Sequence, residues 1–277
     1  MSVALSYLAS TWAVIRSVAV RWSLLTALAK RDLSDDYVDH KFARLWGYIM
    51  PLFTMAVYLM VFTFIWPTRV TAPEGFATDA VIYLLSGILP WLGFNQAVGR
   101  SVSAMVNNQN IVKQVAFPLE LLALKSLVQP LTFLLVSLGF LSVYAGIVTK
   151  GTILQVYLWG IPLLLFLSMI TFGGFALLLS AMQVFLRDTR EFVSLFLTIG
   201  LYIHPILYLP GSIPEAMRIF VYASPLTYFI YCWQDILFYG GIFRPWAWGA
   251  ACGFAVLIFV LGSRMFMGSK PHFGDFL

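Results

Sequence analysis

Long runs of apolar residues, each about 20 residues in length, limit what this chain can fold into. A helix of that length crosses the ~30 Å hydrocarbon core of a bilayer. Of the 277 residues, 61% are hydrophobic and only 10% are charged, whereas about a quarter of the residues in a soluble domain are charged. The chain has too few charged groups to cover a surface that faces water, and we predict an all-α integral membrane protein.

Six stretches have the required length and composition, which predicts six transmembrane helices. Their expected bounds are residues 46–66, 80–105, 119–148, 154–186, 192–209 and 246–266. Pro90 is expected to kink or partly break the second span. The pair Gly173 and Gly174 is expected to allow close helix packing in the fourth span.

The N-terminal part differs from the rest of the chain. Residues 1–45 are expected to form a cytoplasmic interfacial helix and a charged elbow, and residues 46–277 the transmembrane domain. Arg16 and Arg21 interrupt the first apolar run, which argues against a cleaved signal peptide. Apolar side chains repeat along one side of this run at helical spacing, as in an amphipathic helix that lies in the membrane interface.

Residues 211–244, between the fifth and sixth spans, contain two helix starts. Ser212 and Glu215 have the spacing of a capping box, and Ser224 followed by Pro225 is a second N-cap signal. The second of these helices has about 15 residues and extends only ~22 Å, which is too short to cross the bilayer. We therefore expect a re-entrant helical hairpin here.

The positions of Lys and Arg predict the orientation. With a cytoplasmic N-terminus, 13 of the 17 Lys and Arg residues lie on the inner side of the membrane, as the positive-inside rule requires. Both termini are then cytoplasmic, and the hairpin at residues 211–244 is on the outer, periplasmic side. The same loops account for the net charge of +5 without a nucleic-acid partner.

Motifs for catalysis are absent from the sequence. It has no phosphate-binding loop and no H-E-x-x-H or C-x-x-C pattern, and its two cysteines indicate neither a disulfide framework nor a metal site. We expect a chain that is not an enzyme and binds no cofactor itself.

Asp235 is the main acidic residue available inside the spanning region, which disfavours an ion-coupled carrier. Any energy must then come from another subunit.

Two cytoplasmic connections are suited to receive that energy. Residues 107–118 begin with four amide side chains that cannot face lipid, and they are expected to include a small amphipathic helix. The charged turn at residues 187–191 joins two long spans. For the turn at residues 187–191, an equal alternative to a role in coupling is a tight turn that is anchored at the lipid headgroups and holds an internal salt bridge. For the elbow, the alternative is a charged helix that is merely solvated.

Aromatic side chains provide a hypothesis for a conduit in which rings stack on sugar faces. The residues are Tyr48, Phe53, Tyr58, Phe62, Tyr202, Tyr208, Tyr222, Tyr228, Tyr231 and Trp233. The alternative is that these rings pack within the protein or face lipid. His204 also has two interpretations, a helix-kink histidine bonded to a freed carbonyl and a substrate contact in the lumen.

Several motifs occur in order along the chain. They are LWGYIMP at residues 45–51, SGILPW at 86–91, NIVKQVAFP at 110–118, VFLRDTRE at 184–191, HPILY at 204–208 and SPL at 224–226. Together they resemble the permease subunit of type-2 ABC exporters for polysaccharides and polyol phosphates, and the O-antigen branch most of all. The resemblance covers nearly the whole chain.

The resemblance implies a homodimeric channel with six spans per subunit and two separate ATPase subunits that bind ATP and Mg²⁺. Residues 107–118 look like the coupling helix, and residues 211–244 look like gate helices at the periplasmic exit. The implied ATPase contacts are Asn110, Lys113, Phe117, Arg187, Asp188, Arg190 and Glu191. The first and fifth spans would line the pore, and the cargo would be a lipid-linked polysaccharide that crosses the bacterial inner membrane.

The elbow departs from the family pattern, because it is rich in aspartate where relatives often have basic residues. Contact with a lipid diphosphate at the elbow would then fall to Arg31, Lys41 and Arg44. Two other functions stay open. One is an ABC permease for teichoic acid, capsule or a small hydrophobic compound, and the other is a stand-alone channel or secondary carrier.

Overall fold

The computed structural model describes residues 3–35, 43–65, 79–114, 117–209 and 213–277, and every regular element within those ranges is a helix. The helices are α1 Val3–Val20, α2 Trp22–Asp35, α3 Ala43–Met60, α4 Ala80–Val102, α5 Gln109–Gln114, α6 Glu120–Lys125, α7 Val128–Val148, α8 Leu154–Phe185, α9 Thr189–Ile203, α10 Glu215–Ala223, α11 Pro225–Leu237, α12 Pro245–Ser269 and α13 Phe273–Phe276. A π-helical turn, Val61–Ile65, extends α3, and 3-10 turns Val106–Asn108 and Lys270–His272 precede α5 and α13.

Within the described ranges, five helical segments are long and apolar enough to cross a bilayer. They are Leu45–Ile65, Ala80–Val102, Glu120–Val148, Leu154–Phe185 and Pro245–Phe276. The total reaches six only if α1 and α2, which meet at an angle of 76°, are taken as one broken span. The coarse prediction of a multi-span helical protein is therefore confirmed, while the exact set of six spans is not.

The fifth predicted span, residues 192–209, needs correction. The helix α9 begins earlier, at Thr189, and ends at Ile203, so its 15 residues extend only about 22 Å. It ends because Pro205 has no N–H to continue the hydrogen-bond ladder and restricts the backbone of His204. His204 accordingly adopts an extended conformation at the C-cap, with its N–H donated to the Gly200 carbonyl.

Two other spans differ from their predicted form. The third is divided at residues 126–127 into α6 and α7, where Pro130 lies in the first turn of α7 and removes an N–H that a continuous helix would use. The second, in contrast, runs as α4 through Pro90 without interruption. Of the five segments, α4 is the most buried, and α7, α8, α9 and α11 pack around it.

The helices α8 and α12 form the closest helix pair, and glycines make this approach possible. A Cβ atom on Gly262 would lie 2.3 Å from the carbonyl oxygen of Gly174, and one on Gly174 would lie 2.6 Å from the backbone nitrogen of Phe259. Such distances are below any real contact, so only glycine fits at both positions. This confirms the close packing expected around Gly173 and Gly174.

The N-terminal helix α1 packs on α12 and α6. Its buried side carries Val14 and Ser17, while Leu8, Trp12 and Ile15 are exposed. Those exposed residues belong to the face that the sequence predicts to lie in the membrane interface, and that interfacial position stays a prediction. Elbow residues 36–42 lie outside the described part of the chain.

The segment after α9 contains two short helices, as predicted for a hairpin. The helix α11 begins at Pro225 with Ser224 at its N-cap position, as the sequence indicates, and α10 begins at Glu215. Ser212, the predicted first cap, lies outside the described residues. The re-entrant position of this hairpin in the membrane stays a prediction.

Candidate functional site

The connection between α4 and α6 presents polar side chains to solvent. After the turn at residues 103–105, the chain forms the 3-10 turn Val106–Asn108 and then the six-residue helix α5. Asn110 and Lys113 on α5 are exposed. Phe117 is half-buried and packs against the apolar cluster that includes Leu119 and Phe273. The segment therefore has an exposed polar face and an apolar attachment to the rest of the chain.

The short helix α6, which follows this segment, is held at its first residue by Glu120. This carboxylate is buried; it accepts hydrogen bonds from the Ser17 hydroxyl on α1 and from Lys270 Nζ, the latter at 2.7 Å. Arg21 in turn donates to the Ser17 oxygen at 3.0 Å. Because a buried carboxylate requires such partners, Glu120 joins α6 to both terminal regions of the chain.

The end of α6 is held by a second charged group, Asp32 on α2. Lys125 Nζ lies 2.9 Å from one carboxylate oxygen of Asp32, and an Arg100 nitrogen lies 3.4 Å from the other. Asp32 therefore joins α2 to α4 and α6. Together, Glu120 and Asp32 fix both ends of the helix into which residues 107–118 lead.

The turn at residues 187–191 is built on Gln183 of α8. The Gln183 amide nitrogen donates to the Arg187 carbonyl at 3.0 Å, and the Arg190 backbone N–H donates to the Gln183 side-chain oxygen at 2.9 Å. Arg187, Asp188, Arg190 and Glu191 all have exposed side chains. In the described part of the chain, no ion pair joins two residues of this turn, so the amide, rather than an internal salt bridge, shapes it.

The aromatic residues predicted to line a conduit divide into two groups. Tyr48, Phe53 and Tyr202 are exposed, and the rings of Tyr58 and Phe62 are half-buried and stacked at 6.0 Å. Tyr208 and Tyr228 are half-buried, with their hydroxyls donated to the carbonyls of Ile203 and Tyr222. In contrast, His204, Tyr231 and Trp233 are buried inside this subunit. These three residues are therefore core residues here. The other aromatic residues stay candidates for lining a conduit.

His204 joins the end of α9 to the start of α11. One ring nitrogen, Nδ1, lies 2.6 Å from the Gly200 carbonyl oxygen, and Nε2 lies 2.9 Å from the Ser224 hydroxyl. The ring also packs 4.9 Å from that of Trp91. These contacts correspond to the first interpretation, a histidine at a helix end. Ser224 occupies the N-cap position of α11 but makes no capping hydrogen bond, and its hydroxyl contacts His204 instead.

Asp235 is the centre of a buried polar cluster that the sequence does not reveal. Its fully buried carboxylate accepts from Arg244 Nε at 2.8 Å, from the Arg244 backbone N–H at 2.8 Å and from Trp248 Nε1 at 3.1 Å. The Arg244 guanidinium also lies over the Tyr231 ring, 4.1 Å from its centroid. Asp235 thus joins α11 to the start of α12.

Of the three residues predicted to contact a lipid diphosphate, the structure describes the side chain of Arg31 alone. Arg31 is exposed on α2. Lys41 lies outside the described residues, and the side chain of Arg44 is outside them as well. Among the residues that the structure describes, no group of His, Cys, Asp and Glu side chains is arranged to hold a metal ion.

Comparison with known proteins adds a family match to this geometry. The family model described as ABC-2 type transporter matches residues 23–238. The chain is 26% identical over 256 residues to an O-antigen export system permease protein RfbA of Klebsiella pneumoniae, with 92% of this chain and 95% of the relative aligned. A relative of the same name from Myxococcus xanthus is 23% identical over 264 residues, with 95% of this chain and 98% of the relative aligned.

Proposed function

The chain belongs to the ABC-2 type transporter family, and from that premise we propose that it is the membrane subunit of an exporter for lipid-linked polysaccharide of the O-antigen type. The observation that carries this proposal is the similarity to O-antigen export permeases along more than nine-tenths of both chains. The exporter would reside in the bacterial inner membrane, with both termini of this chain in the cytoplasm.

ATP hydrolysis would occur on two partner ATPase subunits, which bind ATP and Mg²⁺, while two copies of this chain form the channel. Residues 107–118 are the proposed docking element for the ATPase. The exposed polar face of α5, with Asn110 and Lys113, supports this role, as does the attachment of Phe117 to the core. The exposed charges of the turn at residues 187–191 form the proposed second contact.

Movement would pass from the docking element through α6. Because Glu120 and Asp32 hold the two ends of α6, a displacement of residues 107–118 acts on α1, α2 and α4 together. We propose that the break at residues 126–127 lets α6 move relative to α7. We propose that this motion changes the positions of α3 and α9, whose exposed rings Tyr48, Phe53 and Tyr202 then contact the glycan.

Export can be tested by deleting the gene in its host. We expect lipid-linked polymer to accumulate inside the cell and polysaccharide to disappear from the surface, and the wild-type gene should restore export. If the host has no second exporter, unchanged polysaccharide at the surface and no polymer inside the cell would contradict the assignment of polysaccharide as the cargo. In that case a permease for teichoic acid, capsule or a small hydrophobic compound becomes the better assignment, and the material that accumulates identifies it.

A further inference from the structure

A polar cavity of about 460 Å³ opens beside the connection between α4 and α6. Three cationic side chains from three different helices line it, Arg100 on α4, Lys125 on α6 and Arg190 on α9. Among the described lining residues Asp32 is the one carboxylate. The described lining residues therefore carry two more positive than negative charges, which favours an anionic ligand.

Two of the lining cations are paired with the lining carboxylate: Asp32 lies 3.4 Å from Arg100 and 2.9 Å from Lys125. Arg190 enters from the turn at residues 187–191 with an exposed side chain. The amide side chains of Asn107 and Asn108 also line the cavity. Cations combined with amide donors are the groups that bind phosphate oxygens in proteins.

An apolar groove of about 460 Å³ lies beside the polar cavity, between α4, α8 and α9. Its lining is mostly apolar, with Asp188 and Thr189 as the polar members; the apolar side chains include Phe94, Val98, Phe175, Met182, Phe192 and Phe196. The two cavities are lined by consecutive residues of the same elements. On α4, Val98 lines the groove and Gly99 the polar cavity, and at the start of α9, Thr189 lines the groove and Arg190 the polar cavity. A cationic site and an apolar site therefore adjoin.

We propose that this pair of cavities binds one anionic phospholipid of the cytoplasmic leaflet. Its phosphate would occupy the cavity with Arg100, Lys125 and Arg190, and an acyl chain would occupy the groove. Two features favour a phospholipid. Basic pockets between helices on the cytoplasmic side bind anionic headgroups, and a phosphate without a chain would leave the apolar groove empty.

Such a lipid would contact both elements proposed to face the ATPase. Asn107 and Asn108 belong to the docking element, and Arg190 belongs to the turn at residues 187–191. A bound phosphate therefore reduces the repulsion of Arg190 by the two cations Arg100 and Lys125. It also holds the docking element and the turn at residues 187–191 at a fixed distance from each other. The membrane composition would in this way affect the ATPase contacts of the exporter.

The headgroup site can be tested on the purified complex with its ATPase after removal of native lipid. Phosphatidylglycerol or phosphatidylcholine is added, and the lipid retained per chain is measured by mass spectrometry. We expect wild type to retain phosphatidylglycerol preferentially. Arg190→Gln should weaken its retention about fivefold and Asp32→Asn should strengthen it about fivefold, since each changes the local charge by one unit. Arg16→Gln, which removes an exposed cation from α1, is the matched control.

Arg190→Gln and Asp32→Asn are expected to change lipid retention in opposite directions. This distinguishes a binding site from a structural role, because both substitutions would weaken a purely structural cluster of ion pairs and both would then lower retention. Equal retention of the two lipids by wild type, or equal losses in Arg190→Gln and Arg16→Gln, would overturn the proposal. Competition by inorganic phosphate at millimolar concentration would indicate a site for free phosphate rather than for a lipid, and it would also overturn the proposal.

The apolar half of the site needs a separate variant. Phe192 lines the groove and is exposed, so Phe192→Ser shortens the groove wall with little effect on the core. We expect it to lower retention of long-chain phosphatidylglycerol several-fold and to leave a short-chain form unaffected. Phe53→Ser, at an exposed position on α3, is the control. The same loss in both variants would mean that the groove does not hold the chain.

Discussion

Glu120 shows how one side chain determines the position of an element. Its carboxylate is buried, yet its two described partners, Ser17 and Lys270, lie 103 and 150 residues away in the sequence. Helical periodicity predicts which residues share a face of one helix, and it carries no information on partners at such separations. The same holds for Asp32 with Arg100 and Lys125. The sequence therefore allows prediction of the segment 107–118 and not of the charged groups that fix the helix after it.

Removal of the Glu120 carboxylate is expected to destabilise the chain. In Glu120→Ala, the Ser17 hydroxyl and the half-buried Lys270 ammonium lose their buried partner, and the loss is about 2 kcal/mol because the ammonium can still reach water. Glu215→Ala is the matched control, because Glu215 is highly exposed and faces Arg218 at 3.8 Å, where a pair contributes less than about 1 kcal/mol. Thermal unfolding in detergent measures both. Equal melting temperatures for the two variants would exclude the proposed role of Glu120.

His204 marks the limit of prediction at single residues. The neighbouring Pro205 indicates a broken helix, and a histidine beside a proline is expected to bond a freed carbonyl. The ring contacts the Gly200 carbonyl, which also accepts the His204 N–H and is therefore not a freed one. Its second partner, the Ser224 hydroxyl, depends on how the hairpin folds back on α9. The sequence likewise makes Tyr231 and Trp233 candidates for lining a conduit, because it does not state which side of a short aromatic helix faces the core; both side chains are buried.

At the scale of helices, the bounds of α4, α8 and α12 could be predicted closely, because each is a long apolar run with clear ends. The bounds of α9 and the division between α6 and α7 differ from the prediction. Pro205 ends α9 before the apolar run itself ends, whereas Pro130, in the first turn of α7, removes an N–H that would otherwise join α7 to α6. Hydropathy measures compatibility with lipid, and it does not report where the backbone hydrogen bonds stop.

The glycine contact between α8 and α12 provides a prediction at this scale. Gly262→Ala places a methyl group against the Gly174 carbonyl, so the helices must separate. We expect a loss of at least about 2 kcal/mol in stability. Gly253→Ala, on the same helix with open space around the added Cβ, should be neutral or slightly stabilising. Thermal unfolding distinguishes them, and similar destabilisation by both would contradict close packing as the cause.

The docking element provides a second prediction at the scale of elements. Lys113 is exposed on α5, so Lys113→Glu reverses a surface charge without disturbing the core. If residues 107–118 contact the ATPase, we expect weaker assembly and at least about a tenfold loss of export in cells, while the chain keeps its melting temperature. Arg218→Glu reverses an exposed charge on α10 and should leave assembly unchanged. Normal assembly and export by Lys113→Glu would remove this element from the ATPase interface.

At the scale of the whole molecule, the apolar composition and the distribution of charge lead directly to a helical membrane protein, and the family match agrees with that class. The exposed apolar surface of the single chain is consistent with this setting, because lipid or a second subunit can cover it. Which of the exposed faces meets the second copy depends on shape at the dimer interface, and a hydropathy pattern does not contain that information.

The most direct test of the account is transport by the purified complex in lipid vesicles. The chain and its partner ATPase are reconstituted with lipid-linked polysaccharide, and the glycan that becomes protected from an added glycosidase is measured with ATP or a non-hydrolysable analogue. We expect protection only with hydrolysable ATP, and only when both subunits are present. Protection that does not require ATP, or ATP hydrolysis without any protected glycan, would contradict the assignment of this chain as the membrane subunit of a polysaccharide exporter.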